Sequence, residues 1–241
     1  MTERVTPYND KTAKSEQVAA MFDNIAHRYD FLNQLLSLGI HKGWRKKAIR
    51  ILAAKKPRSI LDIATGTGDL AIASLQLNPE KVVGVDISEG MLEMGRAKLK
   101  KKHLDERISL RSGDSENLPF SDQSFDAITV GFGVRNFEHL ELGLSSMLRV
   151  LKPNGMAVIL EFSRPTVFPI KNLYAFYFKQ VCPLVGKVFS KDNRAYTYLN
   201  ESVAAFPDGN DFLKIMEKTG FRNCQKHALT FGIATIYSGE K

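Results

Sequence analysis

The sequence predicts an α/β fold in which the strands form one mostly parallel, doubly wound sheet. Short apolar runs with strand composition alternate with segments in which apolar residues recur every three or four positions. Strands that alternate with helices in this way build parallel sheets. A chain of 241 residues suits one such domain with an added helical arm or lid, or two small domains at most.

An amphipathic arm comes first. From Ser15 to Leu36 the apolar residues fall three or four positions apart, which predicts one helix or two consecutive helices. His41 and Trp44 lie three positions apart and share a face if the next segment is helical. For His41 we expect helix packing or capping rather than catalysis or metal binding. We assign residues 1–50 to the arm and residues 51–241 to the main domain.

Strands and helices alternate through the centre of the chain. Strands are predicted at Ser59–Ile63, Val82–Asp86, Ile108–Arg111, Ala127–Val130 and Met156–Glu161. The helices that separate them are predicted at Leu70–Leu77, Glu89–Lys101 and Glu138–Leu151.

The last part of the chain has a different pattern. A helix at Asp211–Thr219 precedes two strands, Phe221–Leu229 and Gly232–Tyr237, whose hairpin would add an antiparallel strand at or into the sheet. An aromatic-rich insert from about Arg164 to Ala205 follows the fifth strand. We interpret the insert as a helical lid over an apolar substrate, with extra core as the alternative.

A glycine-rich turn follows the first strand, within Ile60–Asp69. Gly66 and Gly68 let the backbone approach a ligand that a Cβ atom would exclude. Asp86 ends the second strand, 18 residues after Gly68. An acid there accepts hydrogen bonds from both ribose hydroxyls of an adenosine. We therefore predict an adenosine site that includes Asp86 and its neighbour Ile87.

Other residues help to define the cofactor. The glycines alone leave NAD open, because Ala71 satisfies the relaxed dinucleotide pattern. Asp62 would repel the pyrophosphate of a dinucleotide. It can instead orient the glycine turn or contact the ammonium group of a ligand through water. Its alternative role is only to stabilise the turn. Asp114 and Ser115 follow the third strand, where they can contact an adenine. This ordered set resembles the class I S-adenosylmethionine-dependent methyltransferases, which are Rossmann-like proteins with a seven-stranded, mostly parallel sheet. The resemblance implies S-adenosyl-L-methionine as cofactor and S-adenosyl-L-homocysteine as product.

A narrower resemblance covers nearly the whole chain, from about Ala20 to Ile236. The chain resembles the menaquinone/ubiquinone biosynthesis C-methyltransferases in four segments: Tyr29–Ser37 with His41 and Trp44, Phe132–Asn136, Arg149–Gly155 and Tyr196–Ser202. The resemblance implies methyl transfer to demethylmenaquinol or a related prenylated quinol. It assigns Thr67, Asp86, Asp114 and Ser115 to the cofactor.

Two positions depart from the family pattern. Gly131 stands where some ubiquinone-pathway members carry serine, which favours menaquinone over ubiquinone without deciding between them. Asp114 and Ser115 stand where many members have Asn-Ala, and an acid there can still accept a hydrogen bond from the adenine amino group. The prenyl tail length stays open.

Methyl transfer to carbon requires an electron-rich ring carbon aligned with the sulfonium methyl group. A quinol supplies such a carbon when a ring hydroxyl loses its proton, and a cation beside the developing phenolate lowers the barrier. We predict Arg135 as this cation and Asn136 as its orienter, with a structural salt bridge as the alternative role of Arg135. The base stays open among Tyr29, Asp30, His139, Tyr196 and water.

The net charge of +8 is unevenly distributed. His41–Arg58 contains eight Lys and Arg residues and no acid, and Arg164–Tyr198 contains six against Asp192. Basic residues beside aromatic ones suit peripheral docking on an anionic membrane, although a solvated basic face is the alternative. We expect a cytoplasmic protein without a secretory signal or a spanning segment, and peripheral attachment to the inner face of the cytoplasmic membrane stays open. The oligomeric state stays open, a homodimer included.

Cysteine and histidine usage argues against disulfides and metals. Cys182 and Cys224 lie far apart and in no C-x-x-C motif, so we expect reduced thiols. The five histidines show no metal-ligand spacing, and we expect no metal.

Other functions fit the core motifs less well. An RNA methyltransferase is permitted by the charge, but residues 131–135 lack the Asn/Asp-Pro-Pro-aromatic motif and no RNA-binding module is recognised, so we expect no nucleic acid. A nucleotide-dependent oxidoreductase or a non-catalytic cofactor-binding subunit is disfavoured by Asp62 and Asp114. A methyltransferase for a sterol or fatty acid shares every core motif, and only the terminal segments separate it.

Overall fold

The computed structural model describes residues 5–8, 10–177, 180 and 193–241. Seven strands form one sheet in the order β3-β2-β1-β4-β5-β7-β6, in which β7 is antiparallel to both neighbours and the other pairs are parallel. The predicted seven-stranded, mostly parallel sheet is therefore confirmed. The strands are β1 (Ser59–Ile63), β2 (Lys81–Asp86), β3 (Ile108–Ser112), β4 (Phe125–Gly131), β5 (Leu151–Phe162), β6 (Arg222–Leu229) and β7 (Ala234–Glu240).

Helices cover both faces of the sheet and its carboxyl edge. The arm forms one continuous helix, and the chain then reverses at Leu38 and Gly39, which both have positive φ. The helices are α1 (Lys14–Leu36), α2 (Ile40–Leu52), α3 (Asp69–Ser74), α4 (Glu89–Lys101), α5 (Leu140–Val150), α6 (Ile170–Phe176), α7 (Asn193–Ala205) and α8 (Asn210–Thr219).

Some predicted boundaries are displaced for local reasons. The helix predicted at Leu70–Leu77 ends as α3 at Ser74, and a 3₁₀ turn continues to Leu77. The last strand begins at Ala234 rather than Gly232, because Thr230–Gly232 form a turn in which all three residues have positive φ.

The core has two layers, one on each face of the sheet. On one face, the strands pack against buried residues of α5 and α8, such as Met147 and Phe212. On the other face, they pack against α2, α3 and α4, with Ile49 of α2 fully buried. The predicted division at residue 50 lies within α2, which packs on the sheet. That division stays a prediction.

A third apolar cluster lies between α1 and α7. It contains Val18, Met21 and Leu32 from α1 and Tyr196 and Tyr198 from α7. These two helices cover the carboxyl edge of the sheet, where parallel α/β proteins place their ligand-binding sites. Cys182 and the middle of the insert, residues 178–179 and 181–192, lie outside the described residues.

Candidate active site

The glycine-rich turn joins β1 to α3 next to the end of β2. Gly66 and Gly68 have φ values of +54° and +81°, which glycine adopts without the steric cost that a Cβ atom brings. The amide of Gly66 donates to Asp86 Oδ2 at 2.7 Å, and Asp86 Oδ1 accepts from the Ser88 amide at 2.9 Å. Burial raises the pKa of Asp86. A buried acceptor therefore lies at the end of β2.

Asp62 holds the turn from beneath. Its Oδ1 accepts from the Thr129 hydroxyl of β4 and its Oδ2 from the Thr65 hydroxyl of the turn, both at 2.6 Å. The side chain is almost completely buried, and burial raises its pKa to about 6. Both oxygens are thus engaged by hydroxyl groups, which fits the alternative role of Asp62 as a turn stabiliser.

A small cavity gathers most of the expected cofactor residues. Its volume is about 70 Å³, below the roughly 300–1,000 Å³ of sites for drug-sized ligands. Ser15, Val18 and Phe22 of α1 close it on one side. The expected cofactor-binding residues that line it are Gly66, Asp86, Ile87, Asp114 and Ser115. Asn136, which was predicted as the orienter of Arg135, lines it as well.

Asn136 contributes an unsatisfied acceptor to this small cavity. Its Oδ1 is buried and has no hydrogen-bond partner among the described residues. Such a group costs about 1–3 kcal/mol unless a ligand or water satisfies it. The atom therefore suits a ligand that donates a hydrogen bond.

Thr67 faces a charged network instead of the small cavity. Its hydroxyl donates to Asp30 of α1 at 2.6 Å, and Lys98 Nζ donates to the same hydroxyl at 2.7 Å. Lys98 also pairs with Asp30 and Asp69, and Asp69 pairs with Arg45. This network ties α1 and α2 to the glycine turn. Gly68 is the N-cap residue of α3 beside this network.

A large apolar cavity of about 690 Å³ adjoins the small one. Tyr29, Gly66, Gly131 and Phe132 line both cavities. Phe22 and Ala64 also line both, so the two cavities share one wall. Helices α1, α2, α6 and α7 supply much of the apolar lining of the large cavity.

Arg135 and Glu161 form a buried ion pair at the wall of the large cavity. Arg135 Nη1 donates to Glu161 Oε1 at 2.9 Å and also to the Phe132 carbonyl. The guanidinium carbon lies 5.6 Å from the centre of the Phe162 ring. Glu161 is fully buried, which raises its pKa, whereas the Arg135 charge opposes that rise. Arg135 Nε is buried without a hydrogen-bond partner in the described part of the chain.

The four side chains considered as a base lie in different surroundings. Tyr29 and Tyr196 line the large cavity, and burial raises the pKa of Tyr29. Asp30 is engaged by Thr67 and Lys98. The largely exposed ring of His139 contacts Glu116 and lines neither cavity.

Glu161 was missed at the sequence level, although a signal was present. It lies in the apolar run of the fifth strand, and a carboxylate in a buried strand requires a partner. His41 lines the large cavity together with Ser37, a placement that the helical spacing of the arm did not reveal.

Comparison with known proteins identifies the family. The model of the ubiE/COQ5 methyltransferase family matches residues 10–241. The chain belongs to the ubiE/COQ5 methyltransferase family. The resemblance inferred from the sequence is therefore confirmed, over a span that includes both cavities.

Curated relatives of this family cover the chain almost completely. A demethylmenaquinone methyltransferase of Bacteroides fragilis is 51% identical over 99% of this chain and 98% of its own length. One of Porphyromonas gingivalis is 46% identical, with coverage of 99% and 98%. A ubiquinone/menaquinone biosynthesis C-methyltransferase of Geobacter sulfurreducens is 46% identical, with coverage of 99% and 93%.

Solved structures share the fold at low identity. An S-adenosylmethionine-dependent methyltransferase of Thermotoga maritima is 21% identical, with a TM-score of 0.63 over 92% of this chain and 99% of that chain. The [4+2]-cyclase SpnF is 15% identical, with a TM-score of 0.60 over 94% and 96%. A cyclase with this fold shows that the fold does not set the reaction.

The raised pKa of Asp62 predicts a pH-dependent stability difference. The folded pKa of about 6 lies above the ordinary value of 3.8, so folding favours the protonated acid. That stabilisation is complete below the ordinary pKa and is lost as the pH rises through about 6. Relative to the Asp62→Asn variant, the wild type should therefore lose up to about 3 kcal/mol of unfolding free energy between about pH 4 and about pH 8.

Urea denaturation at several pH values measures this difference. The exposed Asp105→Asn variant is the control and should follow the wild type across the same range. A constant gap between wild type and Asp62→Asn would show that Asp62 does not titrate with a raised pKa.

Proposed function

We propose that this methyltransferase uses S-adenosyl-L-methionine to methylate a ring carbon of demethylmenaquinol, which yields menaquinol. The observation that carries the proposal is the junction of two cavities. The small one gathers most of the expected cofactor residues, and the large apolar one has the Arg135–Glu161 ion pair at its wall. The near full-length relatives named demethylmenaquinone methyltransferase support the same substrate.

The residues around the small cavity suit the cofactor. When bound, S-adenosyl-L-methionine supplies an electrophilic methyl group on a sulfonium. We propose that Asp86 accepts from the ribose hydroxyls, while Ile87, Asp114 and Ser115 hold the adenine. The unsatisfied Oδ1 of Asn136 fits a donor on this ligand. Since Val18 and Phe22 narrow the cavity, we propose that α1 moves aside when the cofactor enters.

The glycine turn completes the proposed cofactor site. Gly66 and Gly68 keep the backbone open to close approach, and Asp62 holds the turn through Thr65. Thr67 reaches the cofactor only if it leaves Asp30 and Lys98, so its role in binding depends on the position of α1.

The large cavity suits an aromatic ring with an isoprenoid tail. Its apolar walls take the tail, and Arg135 stabilises the phenolate that develops on the ring oxygen. Glu161 fixes the orientation of Arg135 by accepting hydrogen bonds from its guanidinium and from its backbone amide. Asn136 lines the small cavity and not the large one, so we assign its amide to the cofactor rather than to the orientation of Arg135.

Gly131 bears on the choice between quinol classes. A Cβ atom at this position would lie 3.2 Å from Leu70 Cδ2, so a serine side chain would crowd the junction of the two cavities. Glycine leaves this space to the substrate ring. We propose that this favours the bicyclic ring of demethylmenaquinol over a ubiquinol precursor.

We further propose that the mouth of the large cavity docks on an anionic membrane. Five cavity-lining residues at the mouth expose apolar side chains, and lysines 42, 46 and 171 are exposed nearby in sequence. Apolar residues beside lysines suit an interface of acyl chains and anionic head groups. Within the described ranges, none of the helices is long and apolar enough to cross a membrane. The apolar rim consists of Leu38, Ile40, Leu173, Phe176 and Phe231.

Methyl transfer from labelled S-adenosyl-L-methionine tests the proposed function directly. The wild-type chain receives demethylmenaquinol or a demethylated ubiquinol precursor, each kept reduced under anaerobic conditions. Label in menaquinol alone is the expected result. Label in the ubiquinol product would assign the chain to the other pathway, and cofactor binding without label in either product would overturn the substrate assignment.

The role of Arg135 predicts a selective loss of turnover. Arg135→Lys keeps the charge beside Glu161 but loses the planar guanidinium. We expect kcat to fall roughly 100-fold, as for loss of one oriented donor, with little change in KM for the methyl donor. Arg149→Lys is the matched control, because Arg149 binds carbonyls of Leu118 and Phe120 and lines neither cavity. Equal kcat losses in both variants would contradict a catalytic role.

The apolar rim predicts membrane binding that one substitution weakens. Phe231→Asp should reduce binding to vesicles containing phosphatidylglycerol by about tenfold, because a charge replaces a side chain that would enter the bilayer. Leu142→Asp is the control, since Leu142 is comparably exposed on α5 and does not line the cavity. Cosedimentation measures the bound fraction. Equal binding by all three proteins, or none by the wild type, would refute the docking surface.

A further inference from the structure

His41 occupies a position in the large cavity that the sequence did not reveal. We propose that Nε2 of His41 accepts the proton of the quinol hydroxyl next to the methylated ring carbon. This inference rests on the proposed function and deepens it, because it supplies the base that the sequence left open. His41 lies near the start of α2, is 6% exposed and lines the cavity that Arg135 also lines.

The hydrogen bonds around Ser37 assign the tautomer of His41. The Ser37 hydroxyl donates to the Asn33 carbonyl at 2.6 Å, and its single proton is thereby used. The Gly39 amide donates to the same oxygen at 3.2 Å. His41 Nδ1 also contacts this oxygen, and with the hydroxyl proton on the Asn33 carbonyl the hydrogen of that contact comes from Nδ1. A neutral imidazole has one N–H group, which leaves the lone pair on Nε2.

The charges that face His41 favour the neutral ring. Burial is the largest effect and lowers the pKa of His41 to about 4. Arg45 and Lys42 of the same helix lower it further, while Asp69 of α3 and Asp30 of α1 oppose them. The imidazole is therefore unprotonated at neutral pH and able to accept a proton, although the lowered pKa makes it a weaker base than free imidazole.

An aromatic wall leads from α2 towards Arg135. Trp44 lies one helical turn after His41, and its ring centre is 6.2 Å from that of Phe132 and 6.5 Å from that of Phe162. The Arg135 guanidinium lies over Phe162. A flat quinol ring can stack on this wall with polar groups of the chain on either side. His41 and Arg135 thus line one cavity that also contains this aromatic wall.

The step balances without a further reagent. The hydroxyl O–H bond breaks, its proton goes to Nε2, and its electron pair enters the ring. The ring carbon forms a bond to the methyl group as the methyl–sulfur bond breaks, and that electron pair stays on sulfur. The ring carbon then loses its hydrogen as a proton to water, and His41 returns its proton to the oxygen. One proton is released in total.

The test compares His41→Gln with the wild-type chain on reduced demethylmenaquinol. Glutamine can hydrogen bond but cannot take the proton, so kcat should fall about 10²–10⁴-fold. Titration should show an unchanged dissociation constant for S-adenosyl-L-methionine. His227→Gln, at an exposed histidine on β6, is the matched control with wild-type kcat.

Two readouts separate a base from a packing residue. The kcat of His41→Gln should rise with pH between about 7 and 9, where the quinol hydroxyl begins to ionise unaided, while that of the wild type changes little. Added imidazole should restore part of the activity of His41→Ala. Nitrogen-15 shifts of the wild-type ring should show the hydrogen on Nδ1.

The other possible results would contradict either the role of His41 as the base or the proposed function itself. If His41→Gln has the kcat of the wild type, His41 is not the base. The same conclusion follows if the variants are folded and bind the cofactor normally, but neither a higher pH nor added imidazole restores their activity. A hydrogen found on Nε2 would contradict the assigned tautomer. Failure of the wild type itself to label any quinol would instead overturn the proposed function.

Discussion

The Asp62 carboxylate joins the three parts of the chain on which both cavities depend. One oxygen holds Thr129 of β4 and the other holds Thr65 of the glycine turn, so β1, β4 and the turn keep one geometry. Strands β1 and β4 are neighbours at the centre of the sheet, although β2 and β3 lie between them in sequence. A crevice opens where connections leave in opposite directions from adjacent strands. Both cavities lie at that crevice.

The buried pair of Arg135 and Glu161 imposes a second constraint. A carboxylate with no exposed surface is costly to bury unless a partner satisfies it. Here one oxygen of Glu161 accepts a hydrogen bond from the Arg135 guanidinium, and the other oxygen accepts one from the Arg135 backbone amide. Two bonds from one residue fix its orientation. The pair therefore holds the guanidinium in one orientation at the wall of the large cavity, with its charge balanced by the carboxylate.

The sequence was sufficient for the sheet and for the family, because both follow from local patterns. Alternating periodicity defined the strands, and the segment around Gly66 with Asp86 indicated the adenosine site. The partners of Thr67 and His41 could not be inferred, since Asp30 and Ser37 reach them only through the packing of α1 and α2. Glu161 was visible as a charge in an apolar strand, but its partner depends on the register of β4 and β5.

Helix α1 lines both cavities, because Phe22 and Tyr29 contribute to each. A ligand that displaces this helix in one cavity therefore reshapes the wall of the other. Thermodynamic linkage then requires reciprocity: the factor by which the first ligand changes the affinity of the second equals the factor in the opposite direction. The two reactants are thus coupled through a shared wall before any bond between them forms.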